Sequence, residues 1–194
     1  KIKKNVTFLD NIDFEKIKTL KKKINNKDYL FLVISKSGNT VETISNLFYL
    51  NIIKKNSKNI IIISENKNNI LSSKAKKYNL FFIEHKNYIG GRYSVLSEVG
   101  MIPAIILGAN IQNIRKNISR HLIASQQDIL KNNVIKLASF IKKKIYKNII
   151  FFNYAPELEN LLFWCQQLIA ESLGKDGKGF LPIISNAPKD HHSL

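Results

Sequence analysis

Short apolar runs alternate with amphipathic stretches through the first half of the chain. Val6–Leu9, Tyr29–Ser35, Ile60–Ser64 and Leu80–Ile83 read as strands. Between them, Phe14–Ile24, Thr40–Lys55 and Asn69–Tyr78 read as helices. Ile44, Leu47 and Phe48 give the second helix an apolar face, and Lys54 with Lys55 suits its negative C-terminal end. The β-α-β-α order predicts an α/β fold, a doubly wound three-layer αβα sandwich around a parallel sheet.

Beyond it, Ser94–Leu107 reads as a mostly apolar helix interrupted by Pro103 and stopped by Gly108, which places a domain boundary there. Ile111–Tyr146 is polar-amphipathic and free of Gly and Pro, suiting connecting helices. Then the pattern restarts with strand Asn148–Asn153, helix Pro156–Ser172, a Gly-rich turn and strand Phe180–Ser185. The expected organisation is a first, partial α/β domain over 1–108, connecting helices over 109–147, and the opening of a second such domain over 148–194. On the helix from Pro156, the spacing of Leu158, Leu161, Leu162, Cys165, Leu168, Ile169 and Ser172 predicts a buried face, and Trp164 and the Phe residues read as core. Gln167 and Glu171 then share another face.

Composition narrows the class. With 44% hydrophobic and 23% charged residues, neither a disordered tail nor a fibrous repeat fits. No apolar run reaches the roughly 18 residues of a membrane span and no leader-like segment opens the chain, so a cytoplasmic protein without a membrane partner is expected. The chain starts at Lys1 rather than Met and stops just after a polar cluster, which reads as an internal piece of a larger protein. One cysteine, Cys165, excludes a disulfide framework and a multi-cysteine zinc site. His85 and His121 show no ligand spacing with His191 and His192, so no metal is expected, and these two read as structural or exposed. The net charge of +17 invites a nucleic-acid partner. It comes, however, from 28 Lys and 3 Arg spread along a chain that also holds 31 Ile and 23 Asn. Such a mixture fits an A/T-rich coding bias and a solvated surface better than a reader of phosphates, where Arg forks prevail.

Ser35-Lys36-Ser37-Gly38-Asn39-Thr40 falls where a buried strand turns into a helix. Hydroxyls and unpaired main-chain N–H groups meet there at the positive end of the helix, a setting that suits a phosphate monoester. A plain helix cap would use the same residue types. The run is neither a dinucleotide fingerprint nor a P-loop, which favours a sugar phosphate over a nucleotide.

Extended through Val41-Glu42-Thr43, this run resembles the sugar-isomerase (SIS) domain motif. Gly90-Gly91-Arg92-Tyr93-Ser94-Val95-Leu96-Ser97 resembles a signature of the glucose-6-phosphate isomerase family, Gln167–Lys175 its catalytic-glutamate segment, and Lys189–Ser193 its histidine segment. All four occur in family order between residues 35 and 193. The resemblance implies interconversion of glucose 6-phosphate and fructose 6-phosphate with no cofactor. Ser35, Lys36, Ser37 and Thr40 would hold the phosphate, Gly91 would let the ligand approach, and His192 would help open the ring. Glu171 would carry the proton between carbons 1 and 2, Arg92 would stabilise the enediolate, and Gln167 would orient a sugar hydroxyl or water. It also implies a homodimer in which His192 reaches the neighbouring subunit's site. A glycine-serine loop upstream and a lysine near the far C-terminus of family members have no counterpart in these residues, so the chain by itself is not expected to hold a complete site.

Each residue has a plainer reading. Alone, Glu171 would be a solvated glutamate in a last helical turn. Arg92 would end a surface turn, and the two histidines would sit in a loop. Two rival functions follow: a non-catalytic SIS module that binds sugar phosphates in a regulator, which needs no base, and an isomerase of another sugar phosphate.

Overall fold

The computed structural model describes residues 5–24, 29–123, 127–143 and 146–192, and the chain divides into two compact units, Lys1–Ile111 and Gln112–Leu194. In the first, β1 (Phe31–Ile34), β2 (Ile60–Ser64) and β3 (Phe81–Glu84) form a parallel sheet in that order. Val33 is in register with Ile62 and Ile34 with Ile63; Ile62 pairs in turn with Phe82. The central strand β2 is buried over Ile60, Ile62, Ile63 and Ser64, as an all-apolar run demands of a strand covered on both faces. Helices α1 (Phe14–Lys23), α2 (Val41–Leu50) and α3 (Ile70–Tyr78) contribute Ile17, Ile44, Leu47, Leu71 and Ala75 to a core with Val33, Ile60 and Ile62. The alternate strand positions Leu32, Ile34, Ile61, Ile63, Phe81 and Ile83 are also apolar, so the sheet is built for a layer on each side; Phe81 is 61% exposed here.

Several boundaries differ from the sequence reading. Val6–Leu9 is not a strand and its Val6 and Phe8 are exposed. Asn51 turns left-handed and donates its N–H to the carbonyls of Leu47 and Phe48, ending α2 at Leu50. Lys54 and Lys55 therefore lie beyond the helix, and its buried side is Ile44, Leu47 and Leu50, with Phe48 exposed. Ser94–Leu107 is not one helix. A 3-10 turn spans Gly91–Leu96, the Ser97 hydroxyl caps a fresh start, and α4 runs Glu98–Ile106 with Pro103 inside it. Gly108, at φ +90, follows its end.

The second unit contains α5 (Ile111–Arg115, beginning on the last residue of the first unit), α6 (Asp128–Lys143), β4 (Asn148–Asn153), α7 (Glu159–Leu173) and β5 (Leu181–Asn186). Strands β4 and β5 pair in parallel, Asn148 with Leu181 through Asn153 with Asn186. The face expected to be buried on α7 is only half-buried at Leu162, Cys165, Leu168, Ile169 and Ser172, and exposed at Leu158 and Leu161. A two-stranded sheet is too narrow to bury a whole helix face. For the same reason Trp164 is half-buried, and Phe152 and Phe163 are exposed rather than core. No helix among the described residues is long and apolar enough to cross a membrane.

Candidate active site

In a parallel α/β sheet the loops that follow the carboxyl ends of the strands carry the ligand-binding groups. After β1 come Ser35–Thr40, after β2 Glu65–Asn69, and after β3 the stretch from His85 to Ser97. Ser35 is buried, and its hydroxyl lies 2.7 Å from that of Thr40 and accepts the N–H of Gly38 at 3.1 Å. Ser37 and Thr40 are exposed, and the Ser37 hydroxyl accepts the N–H of Asn39 at 3.2 Å. Thr40 stands at the N-cap of α2 without capping it by a side-chain hydrogen bond. The hydroxyls therefore gather at the helix start, where its positive end favours an anion. The loop turns at Gly38, φ +69, where a Cβ would fall 2.0 Å from the Asn69 side-chain oxygen.

Asn69 braces this turn. Its side-chain oxygen accepts the N–H of Ser72 at 2.8 Å in a capping box that starts α3, and its amide donates to the Glu65 carbonyl at 2.9 Å. The Leu71 N–H donates to the Gly38 carbonyl at 3.2 Å, and the Ile70 N–H to the Asn39 side chain at 3.0 Å. Lys36 extends along the strand ends. Its ammonium lies 3.6 Å from the Glu65 carboxylate and donates to the Asn87 carbonyl at 3.2 Å. The cation expected to face a phosphate is thus already answered by Glu65, and it ties the hydroxyl loop to the segment that bears Arg92. Glu65, nearly buried, also pairs with Lys67. The hydrogen bond from Lys67 holds its carboxyl below the ordinary value, outweighing burial, with the charges of Lys67 and Lys36 acting the same way.

After β3, His85 is fully buried, and its Nδ1 meets the Glu98 carboxylate while its Nε2 lies 3.2 Å from the Ile89 carbonyl. Burial alone would raise the Glu98 carboxyl. Hydrogen bonds from its own main-chain N–H, from His85 and from the main chain of Lys86, with the charge of His85, together hold it below the ordinary range. Lys86 is raised by its hydrogen bond to Glu84. Arg92 is half-buried in the 3-10 turn, its guanidinium carbon 4.8 Å from the centre of the Tyr93 ring. A Cβ on Gly91 would meet nothing within 4 Å, so the main chain there is open to approach. The Ser94 hydroxyl closes the turn on the Gly91 carbonyl at 2.7 Å.

In the second unit Glu171 lies in the last turn of α7, and the Gln167 amide donates to its carboxylate at 3.1 Å. Gln167 thus holds the carboxylate itself. His192 closes a 3-10 turn beyond the carboxyl end of β5. The Asp190 carboxylate anchors that turn by accepting the Asn186 N–H at 2.7 Å, and His191 is engaged by the Tyr154 hydroxyl at 2.8 Å and by the Phe152 ring. His192 is exposed. Ser193, the last residue of the histidine segment, lies outside the described residues.

Ser35, Lys36, Ser37, Thr40, Gly91 and Arg92 belong to one edge of the first sheet, and Glu171, Gln167 and His192 to the second unit. Four supporting residues escaped the sequence reading: Glu65, Asn69 as a brace, Glu98, and His85 as more than a structural histidine. Only Asn69 carried a local signal, as a polar residue opening an amphipathic helix. The partners of the others lie in different loops.

Two units with parallel strands, the first carrying a cluster of hydroxyls at a strand-to-helix turn, define the class as an α/β protein with parallel sheets. Comparison with known proteins is more specific. The family described as phosphoglucose isomerase matches residues 1–179. Glucose-6-phosphate isomerase of Methanocaldococcus jannaschii is 34% identical over 98% of this chain and 49% of its own length; that of Lactobacillus helveticus is 34% identical over 88% and 41%. A crystal structure of a hypothetical protein from Thermus thermophilus superposes with a TM-score of 0.81 at 26% identity, over 96% of this chain and 48% of that one. The chain belongs to the phosphoglucose isomerase family. It spans about half the length of the curated relatives it matches.

Proposed function

We propose that the protein carrying this chain is a glucose-6-phosphate isomerase, a cytoplasmic enzyme of glycolysis and gluconeogenesis that interconverts D-glucose 6-phosphate and D-fructose 6-phosphate. The observation that carries this reading is that the hydroxyl cradle and the Arg92 loop follow strands of one sheet at the same edge and are joined by the Lys36–Asn87 hydrogen bond, in a member of this family. Ser35, Ser37 and Thr40 take the phosphate, with Lys36 and the open main chain at Gly91 beside them. Anchoring the unreactive end supplies binding energy that positions the reacting carbons. His192 assists ring opening. Glu171, oriented by Gln167, removes the proton from carbon 2 of the open aldose and returns it to carbon 1, while a hydroxyl proton passes from oxygen 2 to oxygen 1. The electron pair rests meanwhile in a cis-enediolate whose negative charge Arg92 stabilises. No metal is called on. In this reading residues 1–108 and 148–194 are parts of two SIS domains, joined by 109–147.

The positions of Glu171 and His192 favour a homodimer. Glu159, at the start of α7, bonds to Asn186 beside the histidine turn at 3.2 Å, whereas Glu171 lies twelve residues further along the helix, about 18 Å at its regular rise. One chain thus keeps its base and its histidine at opposite ends of the same helix, and a neighbouring subunit's His192 would complete the site around Glu171.

Turnover of fructose 6-phosphate by the full-length protein tests the reading, together with Glu171→Gln. Retained substrate binding with turnover reduced by about 10²- to 10⁴-fold, the usual range for a lost general base, supports it. A wild type that binds but does not turn over points to the regulatory module, and competing sugar phosphates in the same assay would reveal a different substrate.

A further inference from the structure

The stretch between β3 and α4 carries Arg92, yet its ends and middle converge on one buried side chain outside the proposed mechanism. His85 is 0% exposed and directly follows β3, whose hydrogen-bond ladder it extends through its own N–H to the Ser64 carbonyl at 2.8 Å. Its ring reaches Glu98, the first residue of α4, on one side and the Ile89 carbonyl, just before Gly90-Gly91-Arg92, on the other. Each ring nitrogen thus has one polar partner. Removing either partner leaves a buried polar atom without a mate, the condition that most disfavours keeping a conformation. The Lys36 ammonium also holds this connection, at the Asn87 carbonyl, and the His85 ring is what joins its start to its middle and its end. Its local bonds, Tyr93 N–H to the Gly90 carbonyl and Ser97 hydroxyl to the Ser94 carbonyl, shape the turn without attaching it to the sheet.

We propose that His85 and Glu98 form a positioning clamp that sets the conformation of the Arg92 loop relative to the sheet edge. The inference rests on the isomerase reading for its kinetic consequence only. Arg92 acts on charge that develops during the reaction, while the phosphate is held chiefly by the separate Ser35–Thr40 loop, with only the open main chain at Gly91 beside it. Loosening the clamp should therefore lower kcat and leave KM nearly unchanged.

The test uses the full-length protein with Glu98→Ala and Glu98→Gln. Glutamine offers an amide donor to Nδ1 while Nε2–H keeps Ile89, so every buried polar atom retains a mate and the clamp is rebuilt without charge. Expected is a fall in kcat of about ten- to a hundredfold in Glu98→Ala, the scale of a slight misplacement of a reacting group, with KM within about twofold and kcat largely regained in Glu98→Gln. Equal kcat in wild type and Glu98→Ala, or no rescue by glutamine, overturns the clamp. Amide hydrogen exchange followed by mass spectrometry provides a readout independent of turnover. In Glu98→Ala, residues 86–97 should exchange at least about tenfold faster while those of α3 stay unchanged; unaltered exchange in 86–97 overturns the proposal. If the wild type fails to convert fructose 6-phosphate, the isomerase reading falls and the exchange result judges the clamp alone.

Discussion

Glycine occupies two positions of the candidate site for opposite reasons. At Gly38 the backbone is left-handed and a Cβ would collide with Asn69. Gly38→Ala should cost about 1–3 kcal/mol, the range for forcing such a conformation on a non-glycine residue, and should show as a lower urea midpoint. At Gly91 a Cβ meets no protein atom. Gly91→Ala should leave that midpoint in place and, on the proposed function, raise KM, because the methyl would stand where that reading brings the substrate. Titration at the site also has a definite sign. The Glu65 and Glu98 carboxyls both sit below their ordinary value of 4.5 in the folded protein. A group depressed on folding stabilises above its unfolded value, and that contribution disappears as pH falls through its folded value. Stability measured by urea should therefore drop as pH falls below 4.5, and drop less steeply in Glu98→Gln, which has one such carboxyl fewer.

Among the elements, α3 does more than cover the sheet. Its capping residue Asn69 both starts the helix and braces the loop that turns at Gly38, so helix nucleation and cradle geometry share one side chain. Asn69→Ala should cost about 0.5–2 kcal/mol, the ordinary effect of losing an N-cap, and should weaken phosphate-ester binding in titration calorimetry. The three strands were legible in the sequence because each is a dense apolar run, and the helices because their apolar residues recur on one side. Their ends were harder to read. Asn51 stopped α2 early by going left-handed, and Ser97 restarted the chain as α4 after a 3-10 turn. Both outcomes depend on which hydrogen bonds the folded neighbourhood leaves open, a quantity that residue type alone does not carry.

Across the molecule, the two units are unequal in what they bury. Most core residues belong to the first, whereas in the second no residue of α6 or α7 is buried, and Ile129 of α6 is 78% exposed. Apolar surface of that extent needs a partner layer, and the relatives have about as much chain again to supply one. Residues 1–194 expressed by themselves should bind a hydrophobic dye strongly and the full-length protein weakly; equal binding would show that the second unit needs no further cover. The proposed sharing of a site between two subunits makes a separate prediction. Mixed dimers of Glu171→Gln and His192→Ala, each inactive by itself, should regain about a quarter of wild-type turnover after subunit exchange. Half of the dimers are then mixed, and one of the two sites in each has both groups intact.

Local pattern determined a good deal of this protein: an α/β chain with parallel strands, a run of hydroxyls at the strand-to-helix turn Ser35–Thr40, and a likeness to the phosphoglucose isomerase family. These follow from hydrophobic periodicity and from short runs whose chemistry is complete within a few residues. The tertiary structure alone decided that Lys36 is claimed by Glu65 and Asn87, that Asn69 stands under Gly38, that His191 is engaged by Tyr154, and that His85 joins Glu98 to Ile89. Each of these is a pairing across loops, and which polar groups meet is set by how the strand ends are brought side by side.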